Sequence, residues 1–234
     1  MLLTILGCSG PYPAPGGACS GYLLESNSGK TRLLIDCGSG VLSRLPDPAS
    51  LSGAVLTHLH YDHMSDMLPL QYYLQFHPRT RPLPVIAPLE PREIRDLLDC
   101  AYYDLESQED RELGEMTLRF LPAKHPVPGA CVCVECDQSK FVFTGDTNEL
   151  PALSLFADRA DLLLMDAGLS EADWSAGKPH LSAMRCAKIA REAHARALIL
   201  THLNPQYDPA ALLQEAQAEY PGAQLAVPGR KIPV

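Results

Sequence analysis

The ten residues Thr-His-Leu-His-Tyr-Asp-His-Met-Ser-Asp at 57–66 carry three histidines and two aspartates, directly after the apolar run Ala54-Val55-Leu56. The chain has only eight histidines, so a polar loop of ordinary composition does not account for three of them here. On an extended segment His58 and His60 point to the same side, and a turn at Tyr61 swings Asp62 and His63 toward a second point about one metal–metal distance away, ~3.5–4 Å. Imidazoles and carboxylates suit Zn2+, with Mn2+ or Fe2+ as alternatives. Two metals at that separation need a shared oxygen ligand, and a carboxylate at a strand end such as Asp146 in TGDT can supply it.

Such a site needs strands that end together. The same pattern, a short β-prone apolar run followed abruptly by Asp or His, recurs in RLLIDCGSG (32–40), GAVLTHLHYDH (53–63), FVFTGDTN (141–148), DLLLMDAG (161–168) and ALILTHLNP (197–205). One strand ending in Asp-Gly is ordinary turn chemistry; five suggest that the ends converge on one site. Leu2 to Leu6 reads as a further strand. Helical spacing covers 63–76, with Pro69 in the first turn or at a bend, and 91–102, with Pro91 at the first helical position. It also covers 183–197, capped by Ser182, and 209–220, capped by Asp208. The Pro-rich tracts 79–88 and 121–130 are expected at sheet edges or in loops. Together these predict a sheet-rich α/β sandwich with helices on its outer faces, as a single domain over residues 1–234.

Composition narrows the setting. At 234 residues and 46% hydrophobic the chain can bury a real core, and no apolar run approaches the ~20 residues of a membrane span. The start, MLLTILGCSG, lacks the basic flank and the apolar length of a lipoprotein signal, so a cytoplasmic location with reduced thiols is expected for the eight cysteines. The cluster CVCVEC (131–136) reads as a strand with small thiols packed inside rather than as a metal site. A net charge of −9 and the lack of a basic stripe argue against a long nucleic acid as the main substrate, unless a basic patch forms in three dimensions or across a homodimer.

HLHYDH resembles the HxHxDH signature of the metallo-β-lactamase superfamily, an αββα sandwich of two mixed β-sheets flanked by helices that builds a dinuclear metal site at one end of its sheets. The rest of the chain resembles that family in order. Asp36 in LLIDCG matches the buried aspartate beneath the histidine loop, His125 in KHPVPG a third histidine, Asp146 in FTGDT the bridging carboxylate and His202 in LTHLNP the last ligand. The resemblance implies that His58, His60 and His125 hold one metal, that Asp62, His63 and His202 hold the other, and that Asp146 bridges. His77 and His194 are left over as surface residues.

The stretch KPHLSAMRCAKIA (178–190) resembles the ribonuclease Z-like phosphodiesterase branch, whose extra histidine before a helix pairs with an acidic residue at the preceding strand end. Here these are His180 and Asp166, an Asp where that branch more often has Glu. The resemblance implies catalysis with a hydroxide shared by two divalent ions, with Asp62 among the groups around it and His180, held by Asp166, as general acid. True ribonuclease Z grips transfer RNA with a long arm between its third histidine and its bridging aspartate. Only residues 126–145 lie there in this chain, enough for one hairpin. A small or cyclic phosphodiester is therefore expected as substrate, with RNA 3′ processing and thioester or lactone hydrolysis as the alternatives.

Overall fold

Strands that are apolar on both faces need cover on both faces, and the computed structural model, which describes residues 1–234, supplies it in four layers. One seven-stranded sheet is built from β1 (Leu2–Gly7), β2 (Gly21–Glu25), β3 (Arg32–Cys37), β4 (Gly53–Val55), β5 (Leu83–Ile86) and β6 (Tyr103–Glu106). The second contains β7 (Arg111–Leu113), β8 (Met116–Pro122), β9 (Ala130–Cys136), β10 (Ser139–Phe143), β11 (Leu162–Asp166), β12 (Leu198–Thr201) and β13 (Gln224–Leu225). The last strand, β14 (Lys231–Pro233), returns to pair with β1, giving the orders β14-β1-β2-β3-β4-β5-β6 and β13-β12-β11-β10-β9-β8-β7. Each sheet is antiparallel at one end and parallel at the other, through β3-β4-β5-β6 and β10-β11-β12-β13.

Alternation along the strands divides the core. Leu33 and Ile35 of β3 meet Phe141, Phe143, Leu162 and Leu164 between the sheets. The intervening Leu34 packs outward with Met64, Met67 and Leu70, from α1 (Tyr61–Met64) and α2 (Met67–Phe76). On the far side Leu163 and Met165 pack with Cys186, Ala187 and Ala190. Those come from α5 (Ala183–Glu192), which lies with α4 (Leu153–Phe156) and α6 (Pro209–Gln217) on that face. Each fully buried leucine contributes ~1.5–3 kcal/mol. The αββα sandwich expected from the sequence is the fold observed.

Several boundaries differ from expectation. The Pro-rich 79–88 tract contains β5, which is bonded on both sides by β4 and β6. Pro82 lies before that strand, and Pro84, the proline within it, lacks only one donor. The helix expected over 91–102 is a single turn, α3 (Arg92–Arg95), continued by a 3-10 turn to Leu98, and Pro91 precedes it. The pattern over 63–76 is split between α1 and α2, with Pro69 in the first turn of α2. Helix α5 stops at Glu192, and His194 adopts a left-handed φ of 51° beyond it. Ser182 and Asp208 do cap α5 and α6. The 126–145 interval holds the β9–β10 hairpin, in which Cys131 and Cys133 face the helices and Cys136 the inter-sheet core. All eight cysteines are free, and no helix is long and apolar enough to cross a membrane.

Candidate metal centre

Parallel strands carry their C-terminal ends to a common edge, and there β3, β4, β10, β11 and β12 deliver Asp36, His58, Asp146, Asp166 and His202. Two of these residues, Asp36 (φ 57°) and His202 (φ 54°), sit in the left-handed region, which costs a non-glycine residue ~1–3 kcal/mol. The cost is borne where Asp36 meets His63 at 2.7 Å and His202 meets Asp62 at 3.1 Å. Gly145 (φ 55°) makes the corresponding turn before Asp146, and a Cβ there would lie 2.9 Å from that of Thr57.

Asp36, wholly buried, is the foundation. Its carboxylate accepts from the Thr57 N–H at 2.7 Å, from the Thr57 hydroxyl at 2.9 Å and from His63 Nδ1–H at 2.7 Å. Committing Nδ1 leaves His63 Nε2 as the free donor atom, and it stands 3.2 Å from Asp146 Oδ1 and 3.6 Å from Asp62 Oδ2. His202 Nε2 completes this group, 3.1 Å from Asp62 Oδ2 and 3.3 Å from Asp146 Oδ2. Beside it, His58 Nε2 lies 3.1 Å from His60 Nδ1 and 3.6 Å from Asp146 Oδ2. The His125 ring is 4.8 Å from that of His58 and 5.0 Å from that of His60, with its Nδ1–H donated to Val127 O.

Three four-residue donor sets result, His58/His60/His125/Asp146, Asp62/His63/Asp146/His202 and Asp146/Asp166/His180/His202, with Asp146 common to all and the donor atoms of each set within 4.8 Å of one another; the first two contain the seven residues singled out in the sequence. His63 Nε2 and Asp146 Oδ1 are buried without a hydrogen-bond partner. Imidazole nitrogens and carboxylate oxygens converging on such unpartnered atoms fit divalent cations, so these residues could hold metal. All seven residues singled out in the sequence are brought together, while His77 and His194 are exposed and belong to none of the donor sets.

The charge states follow from burial and neighbours. Burial holds His58, His60 and His125 below the ordinary imidazole value. It also opposes charge on His63, but Asp146 and Asp36 overcome it and hold His63 up at about 10. For His202, Asp146 and Asp166 likewise outweigh burial. Asp146 is in turn held well below the carboxylate range, chiefly by His202 and His63, against the opposing effect of burial.

Next to the shared carboxylate lies a second polar pair. His180 Nδ1–H donates to Asp166 Oδ2 at 2.9 Å, and its ring stacks on His202 at 4.9 Å. Asp166, wholly buried, also accepts from the Gly168 N–H at 2.9 Å. Burial opposes a charged His180, and Asp166 overcomes it, raising the imidazole. The shorter Asp therefore reaches the histidine without the extra methylene.

Sequence reasoning missed three supports. Thr57 links Asp36 to His58 Nδ1, at 3.3 Å, and its place just ahead of the histidine run was the available signal. Gln108 donates to the Leu56 and Thr57 carbonyls at 2.8 and 2.9 Å, and nothing in its surroundings marks it. Gly10 lies against His202, where a Cβ would come within 2.0 Å of Nε2.

The model of the Beta-lactamase superfamily domain matches residues 31–203. The chain is 33% identical over 216 residues to the "Probable metallo-hydrolase YhfI" of Bacillus subtilis, covering 87% of each. The crystal structure of YhfI superposes with a TM-score of 0.92 at 28% identity, over 99% of both chains. The ribonuclease Z of Natronomonas pharaonis is 27% identical over an alignment of 288 positions, covering 94% of this chain and 93% of that protein. The short form of human tRNase Z shares the fold, with a TM-score of 0.81 at 19% identity over 100% of this chain and 99% of that one.

Proposed function

This chain belongs to the beta-lactamase superfamily and is a metallo-hydrolase, and from that premise we propose that it hydrolyses small or cyclic phosphodiesters. His58, His60 and His125 would hold one divalent ion and Asp62, His63 and His202 the other, with Asp146 shared; Zn2+ suits these donors best. When bound, two such ions supply a water of lowered pKa and Lewis acidity toward a phosphoryl oxygen.

The observation that carries the phosphodiesterase reading is the His180–Asp166 pair at the edge of the cluster. An alkoxide leaves a phosphodiester poorly unless it is protonated as it departs, whereas a thiolate or a lactone alkoxide is expelled from a tetrahedral centre without such a demand. Asp166 accepts the Nδ1 proton, which fixes the ring and leaves Nε2 as the atom that can deliver a proton to a leaving oxygen. His180 keeps 19% of its side chain exposed, so it can meet a substrate while Asp166 stays buried.

Two features favour a small substrate. The 126–145 interval is filled by the β9–β10 hairpin, and the alignment with the Natronomonas ribonuclease Z runs to 288 positions against 234 residues here, so that protein carries segments this chain lacks. The net charge of −9 offers little to a polyanion. RNA 3′ processing is the second reading, favoured by the relatives named ribonuclease Z. The free cysteines suit a reducing compartment such as the cytoplasm.

A turnover panel of bis-p-nitrophenyl phosphate, 3′,5′-cyclic AMP, a 2′,3′-cyclic nucleotide, a thioester, a lactone and a precursor tRNA tests the reading. Phosphodiesters should be preferred clearly. His180→Ala should slow cyclic AMP hydrolysis by ~10²–10⁴ with metal retained, and bis-p-nitrophenyl phosphate much less, because p-nitrophenolate leaves without a proton. Faster turnover of the thioester or lactone, or site-specific cleavage at a tRNA 3′ end, would overturn it.

A further inference from the structure

His180 lies on the loop between β11 and α5, and a loop positions a general acid only as well as it is itself held. The base of this loop is closed by a bridge between Leu169 and Ser182. Its first part is fixed through Glu171, which accepts from Ser182 and Arg185. The stretch from Trp174 to Lys178, immediately before His180, is exposed apart from Trp174 and has a different anchor.

That anchor is Asn148, wholly buried two residues after Asp146. Its side-chain N–H groups donate to Ser175 O at 2.9 Å and Lys178 O at 2.5 Å, and its Oδ1 accepts from Trp174 Nε1 at 3.2 Å. Two carbonyls on one side and an indole N–H on the other leave a single orientation for the amide. The Arg185 guanidinium lies over the Trp174 ring at 3.4 Å and clamps it from the helix side. The Asn148 main-chain N–H donates to Lys124 O at 3.0 Å, next to His125. One residue therefore ties the Asp146 turn to both the His125 and the His180 loops.

We propose that Asn148 is a positioning residue that sets His180 against Asp166 by stapling the Trp174–Lys178 stretch of its loop. The inference rests on the reading of His180 as a proton donor. Without the amide, two carbonyls and an indole N–H of the loop lose a buried partner, as does the Glu149 N–H, which donates to Asn148 Oδ1 at 2.6 Å, and the loop relaxes toward solvent. A displacement of ~1 Å in a catalytic group costs up to about 100-fold in rate.

Trp174 is the only tryptophan in the chain, so its fluorescence reports on the staple directly. Asn148→Ala, compared with wild type and His180→Ala as the zinc-loaded enzymes, should keep its metal content. Its tryptophan emission should move to the red and be quenched more readily by acrylamide. Hydrolysis of 3′,5′-cyclic AMP should fall ~10–100-fold and that of bis-p-nitrophenyl phosphate much less. Trp174→Phe, at a half-buried site, removes one of the three side-chain bonds from Asn148 to the loop while keeping an aromatic ring beneath Arg185, and should show the same selectivity at smaller size. If His180→Ala is selective for the alkyl leaving group and both of these variants are not, the inference is wrong and the reading of His180 stands. If His180→Ala is itself unselective, the proton-donor reading fails and takes the inference with it. Unchanged emission in Asn148→Ala also overturns it.

Discussion

The two halves of the centre use the same side-chain types in opposite settings. His58 is buried, His125 half-buried and His60 open to solvent on its outer face, and the three form a cluster of imidazoles held below the ordinary value by lost hydration, with mutual repulsion adding to it. Asp62, His63 and His202 are buried, and their imidazoles are gripped by the carboxylates of Asp36, Asp62, Asp146 and Asp166. On the proposed two-ion reading, a cation entering the first half would meet nitrogens that are already deprotonated, whereas one entering the second would have to displace protons that the carboxylates hold in place. The open half would bind without losing protons, and the closed half is organised by its own charges in the metal-free protein. Asp146 joins them.

The largest effect should come from breaking that joint. Asp146→Ala removes a donor from both sets, so metal content measured after gel filtration should fall from about two ions per chain to one or none, with hydrolysis reduced to background. One tightly held ion, unaffected by the substitution, would break the comparison, because the two halves would then not share a carboxylate. A smaller effect separates them. Asp36 bonds His63 directly but reaches His58 only through Thr57, so Asp36→Asn should weaken metal binding ~10–100-fold, mainly in the closed half. Competition with a graded chelator should show one step displaced and the other nearly in place. Equal displacement of both would show that Asp36 supports the loop as a whole rather than one ring.

How far each half was legible follows from where its residues lie in the chain. His58, His60, Asp62 and His63 fall within six residues, so spacing alone placed them together. Asp36, Asp146, Asp166 and His202 were legible because each follows an apolar run of strand length, and a parallel sheet gathers such ends at one edge. His125 has no such signal; a loop histidine before proline is chemically ordinary, and only the resemblance marked it. Gln108 was invisible because its function is to reach two carbonyls distant in sequence, which no local pattern encodes. The helix over 91–102 was overread. Its apolar spacing is helical, but its first turn is followed by a 3-10 turn, and Leu98 is the buried anchor. Strand β5 was underread, since proline in a parallel strand forfeits one bond rather than the strand.

The smallest predicted effect concerns the proton in the closed half. In the unfolded chain His63 titrates near 6.5, and in the folded, metal-free protein at about 10, because Asp146 and Asp36 outweigh burial. At pH below 6.5 both states carry the proton and the folded state has the full benefit of the ion pairs. As pH rises above 6.5 the unfolded chain releases its proton while the folded protein keeps it, so the benefit shrinks and is gone once pH passes about 10. His202, raised in the same manner, acts in the same direction. The chelated protein should therefore lose stability between pH 6.5 and 8.5, with Tm falling by at least ~2–4 °C, the shift that ~1 kcal/mol produces in a chain of this size. Thiols of the unfolded chain are half-ionised by about pH 8.5 while burial pushes those of the folded core up, which adds a loss of the same sign above about pH 7.5, so the fall between pH 6.5 and 7.5 is the part that reports on the imidazoles. Saturating zinc should reverse the slope, since binding expels those protons and is stronger where they are scarcer. Thermal scans with EDTA and with zinc across that window measure both slopes. A metal-free Tm that does not change from pH 6.5 to 8.5 would mean that the closed half holds no proton, and the two halves would differ in burial alone.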